Sequence, residues 1–298
     1  VLVTGAESST GVVLMRKLCE SMAHVPRALV SSEEAAAALR ESLGEHLSED
    51  LEVVVDEVTS PESALLACKG MGAVIVASSA VPRPKVLSSM WCGVTKVATL
   101  GFGGAQQTFW FEEGQTPEDV DWMGTRHLVE AANMSGVKHM VLISKMAGSK
   151  PDHPWNANME NQVRWQRKAE SYLIGSKLPY TIIHVGTLSE TLPGGQRQLV
   201  VGVDDEFLED GRAQVSSEDL AEVCLKCLGT PAASAMRSFD LGSCPEGEGE
   251  PFDGNLANLL EPLQGKSYTY TQADEEFCAF DGEKSRACCV GTGQAPGS

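Results

Sequence analysis

Short apolar runs rich in β-branched residues alternate along this chain with segments whose apolar positions recur at helical spacing. "VLVTG" opens as a strand, and "GVVLMRKLCESM" behind it reads as a helix. "PRALVSS" and "EEAAAALRESL" repeat the unit. So do "LEVVVDEV" and "SPESALLACKG", where Ser60 is the predicted N-cap and Pro61 the first helical residue. "GAVIVASSAVP" predicts a fourth strand and "VKHMVLIS" a fifth. Between them "TPEDVDWMGTRHLVEAANMSG" reads as one helix that Thr116 caps, Pro117 begins and Gly136 closes. "ENQVRWQRKAESYLIGS" and "PYTIIHVG" add a further helix and strand. Continuous apolar strands separated by helices predict an α/β fold, a doubly wound parallel sheet covered on both faces.

Two stretches break the rhythm. Residues 81–116 form a long insertion containing "GFGGAQQTFWFEEG", and from residue 245 the chain is rich in Gly, Glu and Pro. The organisation expected is one domain over residues 1–252 and an irregular C-terminal extension over 253–298, whose composition needs a surface to order it.

Charge narrows the function classes. Lys and Arg total 23 against 41 Asp and Glu, a formal net charge of −18. Such a surface repels phosphate backbones and anionic lipid, so nucleic acid is not an expected partner. No apolar run is long enough for a transmembrane helix. The chain starts inside a strand without Met, as it would if a leader were removed or lay outside it. Nine cysteines lack the rhythm of a disulfide scaffold. Cys224 and Cys227 form "CLKC" within a helix and without a second pair, so they read as core thiols rather than a zinc site. No HExxH spacing occurs, and no metal chemistry is expected.

The candidate chemistry sits in "VTGAESSTG". Gly5 and Gly11 occupy the outer positions of a strand–turn–helix fingerprint for dinucleotides, with Ser8 where its middle glycine would allow close approach of a pyrophosphate. The absence of a following Gly-Lys-Ser/Thr excludes a P-loop. Two readings of the hydroxyls stand open. Ser8, Ser9 and Thr10 donate to phosphate at the helix N-terminus, or they only cap the helix.

The blocks "VLVTGA", "VDWMG", "GVKHMVLIS", "KPDHP", "RKAESYL", "LPYTIIHVG", "DLAEVC" and "FDLGSCPEG", spread over roughly residues 1–250, resemble the atypical short-chain dehydrogenase/reductases. Within them the likeness is to NmrA-like and epimerase-like NAD(P)-binding proteins of plants and algae. The resemblance implies a Rossmann fold with parallel strand order 3-2-1-4-5-6 and a small C-terminal lobe. It also implies that Asp56 contacts adenine and that Ser78 and Ser79 lie beside the adenosine ribose. Related NADP binders end the second strand in Arg-Ser, but this chain has Ser31-Ser32. Nor does Ser31 supply the acid of an NAD fingerprint. NAD(P) binding is therefore expected to be weak or lost.

Reductases of this superfamily use a Tyr-xxx-Lys pair, in which the tyrosine, ordinarily of pKa about 10, exchanges a proton during hydride transfer. The matching positions are Gln162 and Gln166, and no tyrosine elsewhere has lysine four residues on. Ser144 is a residual candidate for orienting substrate, or merely satisfies a strand end. His127 and His184 read as hydrogen-bonded core residues in apolar surroundings. Lys168, beside Glu170, reads as a solvated surface lysine, and Trp165 as core.

The function expected from these losses is a catalytically silent subunit, assembly factor or regulator in an organelle complex, with the plastid favoured over the cytoplasm by the resemblance. The alternatives are an NAD(P)H-dependent oxidoreductase on a small carbonyl and a non-catalytic NAD(P) sensor. Partner surfaces are expected at residues 86–112 and 253–298, which carry Trp91, Phe102, Phe109, Trp110, Phe111, Tyr268, Tyr270, Phe277 and Phe280. The competing expectation is that insertion and tail fold back over their own domain.

Overall fold

The computed structural model describes residues 1–84, 109–150 and 152–270. The strands are β1 (Leu2–Thr4), β2 (Arg27–Val30), β3 (Glu52–Val55), β4 (Ala73–Val76), β5 (Arg83–Pro84), β6 (Phe109–Trp110), β7 (His139–Lys145), β8 (Tyr180–Val185), β9 (Thr187–Ser189), β10 (Leu199–Gly202), β11 (Gln214–Ser216) and β12 (Arg237–Ser243). The helices that matter here are α1 (Ser9–Ser21), α2 (Glu33–Leu43), α3 (Pro61–Cys68), α4 (Thr125–Ser135), α5 (Pro154–Asn158), α6 (Gln162–Gly175), α7 (Ser217–Gly229), α8 (Pro231–Ser234) and α9 (Leu256–Leu260).

Among the described residues, eight strands form one sheet in the order β10-β12-β8-β7-β4-β1-β2-β3. All neighbours run parallel except β10, which closes the edge antiparallel to β12. The stretch β3-β2-β1-β4-β7-β8 is the 3-2-1-4-5-6 order expected from the sequence.

Alternation explains the continuous apolar strands. Val3, Ile75, Val141 and Ile183 enter a core beneath α1, α2, α7 and α9. Their neighbours Leu2, Val74, Met140 and Ile182 enter a second core beneath α3 and α4. Each strand therefore feeds two cores, and successive side chains both need to be apolar. Cys224 and Cys227 lie buried on the inner face of α7, where desolvation pushes the Cys227 thiol up to about 12.

Local signals hold in detail. Ser60 Oγ accepts from Ser63 N at 3.2 Å, with Pro61 in the first turn of α3. Ser60→Ala is expected to cost about 1 kcal/mol in equilibrium denaturation, the ordinary worth of such a cap. The helix expected over 116–136 differs in winding. Thr116 Oγ1 accepts from Asp119 N at 3.2 Å, but Glu118–Gly124 then takes π-helical turns before α4 begins. Val120, Asp121 and Trp122 within it are consecutive and all buried. Gly136 closes α4 at φ 70° as expected.

The base of the insertion is a short antiparallel pair, β5 with β6. Phe111 packs with Ala80 and Val120, while Trp110 is exposed. Trp91, Phe102, Phe277 and Phe280 lie outside the described residues. Residues 253–270 pack on their own domain. Leu256, Leu259, Leu260 and Leu263 join the core under β10 and α7, and Tyr268 is buried.

Candidate functional site

The order of the sheet reverses at β1 and β4, whose carboxyl ends leave a crevice because the following connections cross to opposite faces. Thr4 Oγ1 and Ser78 Oγ, 2.9 Å apart, link the two strand ends. Above them lies a cleft of about 710 Å³. The turn after β1 lines it with Gly5, Ser8 and Thr10, the next two strand ends with Ser31 and Asp56, and the end of β4 with Ser78 and Ser79. The end of β7 contributes Ser144 and Lys145. Of the residues expected in the cofactor site, Gly11 packs beneath the turn and Ser9 is exposed outside the lining.

Both glycines of the turn are sterically required. Gly5 has φ 62°, and a Cβ there would lie 2.7 Å from Ser78 Cα. A Cβ on Gly11 would lie 2.2 Å from the Gly5 carbonyl oxygen. Ser8 caps the helix while also lining the cleft. Its Oγ donates to Gly5 O at 2.8 Å and accepts from Gly11 N at 3.0 Å, so the hydroxyl belongs to the helix start. The first-turn amides of α1 still face the cleft end of the helix, and that turn carries no acidic residue. The turn, the helix start and the open crevice together fit a dinucleotide.

Glu7, Asp56, Glu57 and Glu112 are the acidic residues of the lining, beside the cations Arg83 and Lys145. Glu7 Oε1 accepts from Ser31 N at 3.2 Å. Arg83 is paired with Glu112 at 2.8 Å.

The expected relay positions share one network, with Gln162 behind the cleft and Gln166 on its lining. Gln162 Nε2 donates to Ala80 O at 2.7 Å and to Asp121 Oδ2 at 3.2 Å. Gln166 Nε2 donates to Asp121 Oδ1 at 2.8 Å, and Ser79 Oγ donates to the same oxygen at 2.7 Å. Lys145 Nζ donates to Gln162 Oε1 at 2.7 Å. Burial raises the Asp121 pKa against these donors, and burial lowers that of Lys145 against the pull of Asp121. Gln162 is fully buried, so a tyrosine placed there would have to displace this network before reaching the cleft.

Ser144 belongs to a second network. Its Oγ donates to Glu170 Oε1 at 2.5 Å, and the other Glu170 oxygen lies 3.0 Å from His184 Nε2 and 3.2 Å from Arg167 Nη1. Tyr270 OH donates to that same oxygen at 3.1 Å. The Tyr268 ring stacks on His184 with centroids 4.2 Å apart, and Arg167 lies over both tyrosine rings. Burial alone would push Glu170 up, but the His184 cation and the Arg167 guanidinium hold its carboxyl at about 2. Burial would lower His184, and Glu170 outweighs it and raises the imidazole.

Three readings of the sequence are corrected here. His184 sits among charges rather than in apolar surroundings. Lys168 is buried, with its ammonium 4.7 Å from the Trp122 ring and 5.2 Å from that of Trp165, so it is not a solvated lysine. Tyr268 and Tyr270, expected to wrap a neighbour, cover the charged face of α6 of their own chain. His127 is hydrogen-bonded as expected, with Nδ1 3.0 Å from Thr59 O, but half-buried rather than in the core. Sequence reasoning missed Asp121, whose partners Ser79, Gln162 and Gln166 lie more than 40 residues away, and Glu7, whose partner lies 24 residues away.

Comparison with known proteins follows the same lines. The profile of a family described as NAD(P)H-binding matches residues 5–231. An uncharacterized chloroplastic protein of Arabidopsis thaliana is 37% identical over 256 residues, covering 84% of this chain and 71% of the relative. Sanguinarine reductase of Eschscholzia californica is 37% identical over 258 residues, 84% of this chain and 91% of the relative. The chloroplastic protein TIC 62 of rice (Oryza sativa subsp. japonica) is 30% identical over 101 residues, 31% of this chain and 19% of its own length. A solved short-chain dehydrogenase/reductase of Veillonella parvula in complex with NADP superposes with a TM-score of 0.56 at 15% identity, covering 84% of this chain and 97% of that one. That likeness concerns the fold.

Proposed function

The chain belongs to the NAD(P)H-binding family, and from that membership we propose that it is an oxidoreductase that delivers hydride to an acceptor needing no proton. The observation that carries this reading is the pair Gln162 and Gln166. Both stand where a proton relay is expected, and both are amides committed to Asp121. A bound dihydronicotinamide would supply the hydride. The chain's residues would hold the dinucleotide at Gly5, Thr10, Ser31, Asp56, Ser78 and Ser79, all of which line the cleft. The formal net charge of −18 on the chain attracts a cationic acceptor. Hydride addition to a C=N⁺ carbon moves two electrons into that bond and leaves a neutral amine, with no proton to supply. A 37% identical relative named as a reductase supports the redox reading.

The test is NADH and NADPH oxidation with a quaternary iminium acceptor against a neutral ketone of the same shape. The expected result is a kcat/KM for the iminium roughly 10²–10⁴-fold higher, the range that general acid catalysis would have contributed to the ketone. Equal or faster ketone reduction, abolished by Gly5→Ala, would show that a proton donor exists in the cleft.

A second reading keeps the plastid that the partial likeness to the chloroplastic protein TIC 62 supports. In it the chain is a catalytically silent subunit of a plastid complex, with partner surfaces at 86–112 and 253–298. Of those stretches, Trp110 is exposed while Tyr268 is buried. Dinucleotide binding without turnover of either acceptor class would support this reading over the first.

A further inference from the structure

The fingerprint acid that selects NAD in a doubly wound fold comes from the end of the second strand, where it hydrogen-bonds the ribose 2′-hydroxyl. This chain has Ser31 there, followed by Ser32, and neither carries charge. The structure fills the position from elsewhere. Glu7, in the turn after β1, reaches across so that its Oε1 accepts from Ser31 N at 3.2 Å. The side chain is exposed and lines the cleft beside Ser31 and Asp56. The Ser31 amide pins this carboxylate at the end of β2, and a carboxylate keeps lone pairs for further donors.

We propose that Glu7 is the ribose-selecting residue of the cleft and makes it prefer NAD(H) to NADP(H). The proposal rests on the reading that the cleft binds a dinucleotide. A ribose diol donates to the carboxylate, whereas a 2′-phosphate removes one donor and brings about −2 charge against it. Asp56 and Glu57 stand on the same side and add to the repulsion. Arg83, on the same lining, has its charge paired with Glu112 at 2.8 Å rather than left for a phosphate. Asp56 follows β3, one strand beyond the end of β2 from which the ribose is read.

The experiment is calorimetric titration of the full chain with NADH and with NADPH, for the wild type, Glu7→Ala and Glu7→Gln. Thermal unfolding of each variant serves as the folding control, and the exposed position of Glu7 predicts unchanged melting. The wild type is expected to bind NADH at least tenfold more tightly than NADPH. Glu7→Ala is expected to weaken NADH roughly ten- to a hundredfold, the worth of one charge-assisted hydrogen bond. Glu7→Gln keeps the shape and removes the charge, so NADPH should gain relative to NADH. Equal wild-type affinities, or a ratio unchanged by both variants, would overturn the assignment of Glu7 while leaving dinucleotide binding intact. Binding of neither dinucleotide would overturn that reading, and this proposal with it.

Discussion

Gly11→Ala is expected to destabilise the protein by about 2–4 kcal/mol, although alanine is the better helix former. Helix propensity favours the substitution by about 1 kcal/mol. Against that stands a new methyl 2.2 Å from the Gly5 carbonyl oxygen and 2.7 Å from Ala6 Cα, both backbone atoms that have no rotamer to change. Overpacking in a well-packed region costs roughly 1–3 kcal/mol and more where neighbours are rigid, so the clash wins. For a domain of this size that corresponds to a fall in Tm on the order of 5–15 °C. Gly72→Ala is the control, since nothing lies within 4 Å of its added Cβ and its φ is ordinary. Its melting should stay within about a degree or two of wild type. A Gly11→Ala protein that melted with the control would show that α1 does not dock on the turn as described.

Glu170→Ala carries the second large effect. The substitution leaves the Arg167 guanidinium and the His184 imidazolium buried without their shared carboxylate, and removes a partner from the Ser144 and Tyr270 hydroxyls. Removing one partner from a buried charged network costs about 3–5 kcal/mol. The pH dependence separates this from simple cavity formation. Glu170 is held at about 2 in the folded protein against an ordinary 4.5. Its contribution is therefore complete above pH 4.5 and is lost as pH falls through that range toward 2. His184 is raised above 6.5, so its contribution is complete below that value and fades as pH rises through the folded pKa. Asp240, pushed up to about 6 mainly by burial, also favours the folded state at lower pH, because ionising it inside the protein is costly. Stability measured by denaturant at several pH values should thus peak on the mildly acidic side. Glu170→Ala should flatten the acid limb of that curve. An acid limb of unchanged slope in the variant would remove Glu170 from this role.

The layout of the sheet was readable because each parallel strand feeds two cores. Val3 and Leu2, or Ile75 and Val74, must both be apolar, and that leaves runs too short for helices between segments with helical spacing. The caps at Ser60 and Gly136 were readable because they depend on residues next to them in the chain. Gln162 and Gln166 were legible as lost relay positions, but not as amides clamped on Asp121. That clamp joins residues 41 and 45 positions apart, which no local pattern in "EDVDWMG" announces. The charged stretch Arg167-Lys168-Ala169-Glu170 reads as a wet helix face for a physical reason. Its cover comes from Tyr268 and Tyr270, about a hundred positions later, and from Trp122, none of which lies within the reach of a periodicity argument. Glu7 escaped notice likewise, because its meaning lies in a bond to Ser31.

The clasp formed by residues 268–270 also sets the order in which this protein can be completed. Thr269 donates to Asp204 from both its amide and its hydroxyl, at 2.7 and 2.8 Å, and its carbonyl accepts from Arg167. The bond from Tyr270 to Glu170 closes a loop of 100 residues. A chain emerging from the ribosome has its first five strands long before that closure. Until residue 270 is free of the exit tunnel, Arg167, Glu170 and His184 lack the cover that Tyr268 and Tyr270 give them. The polar interior of this domain is thus shut by a segment made about a hundred residues after the charges it covers.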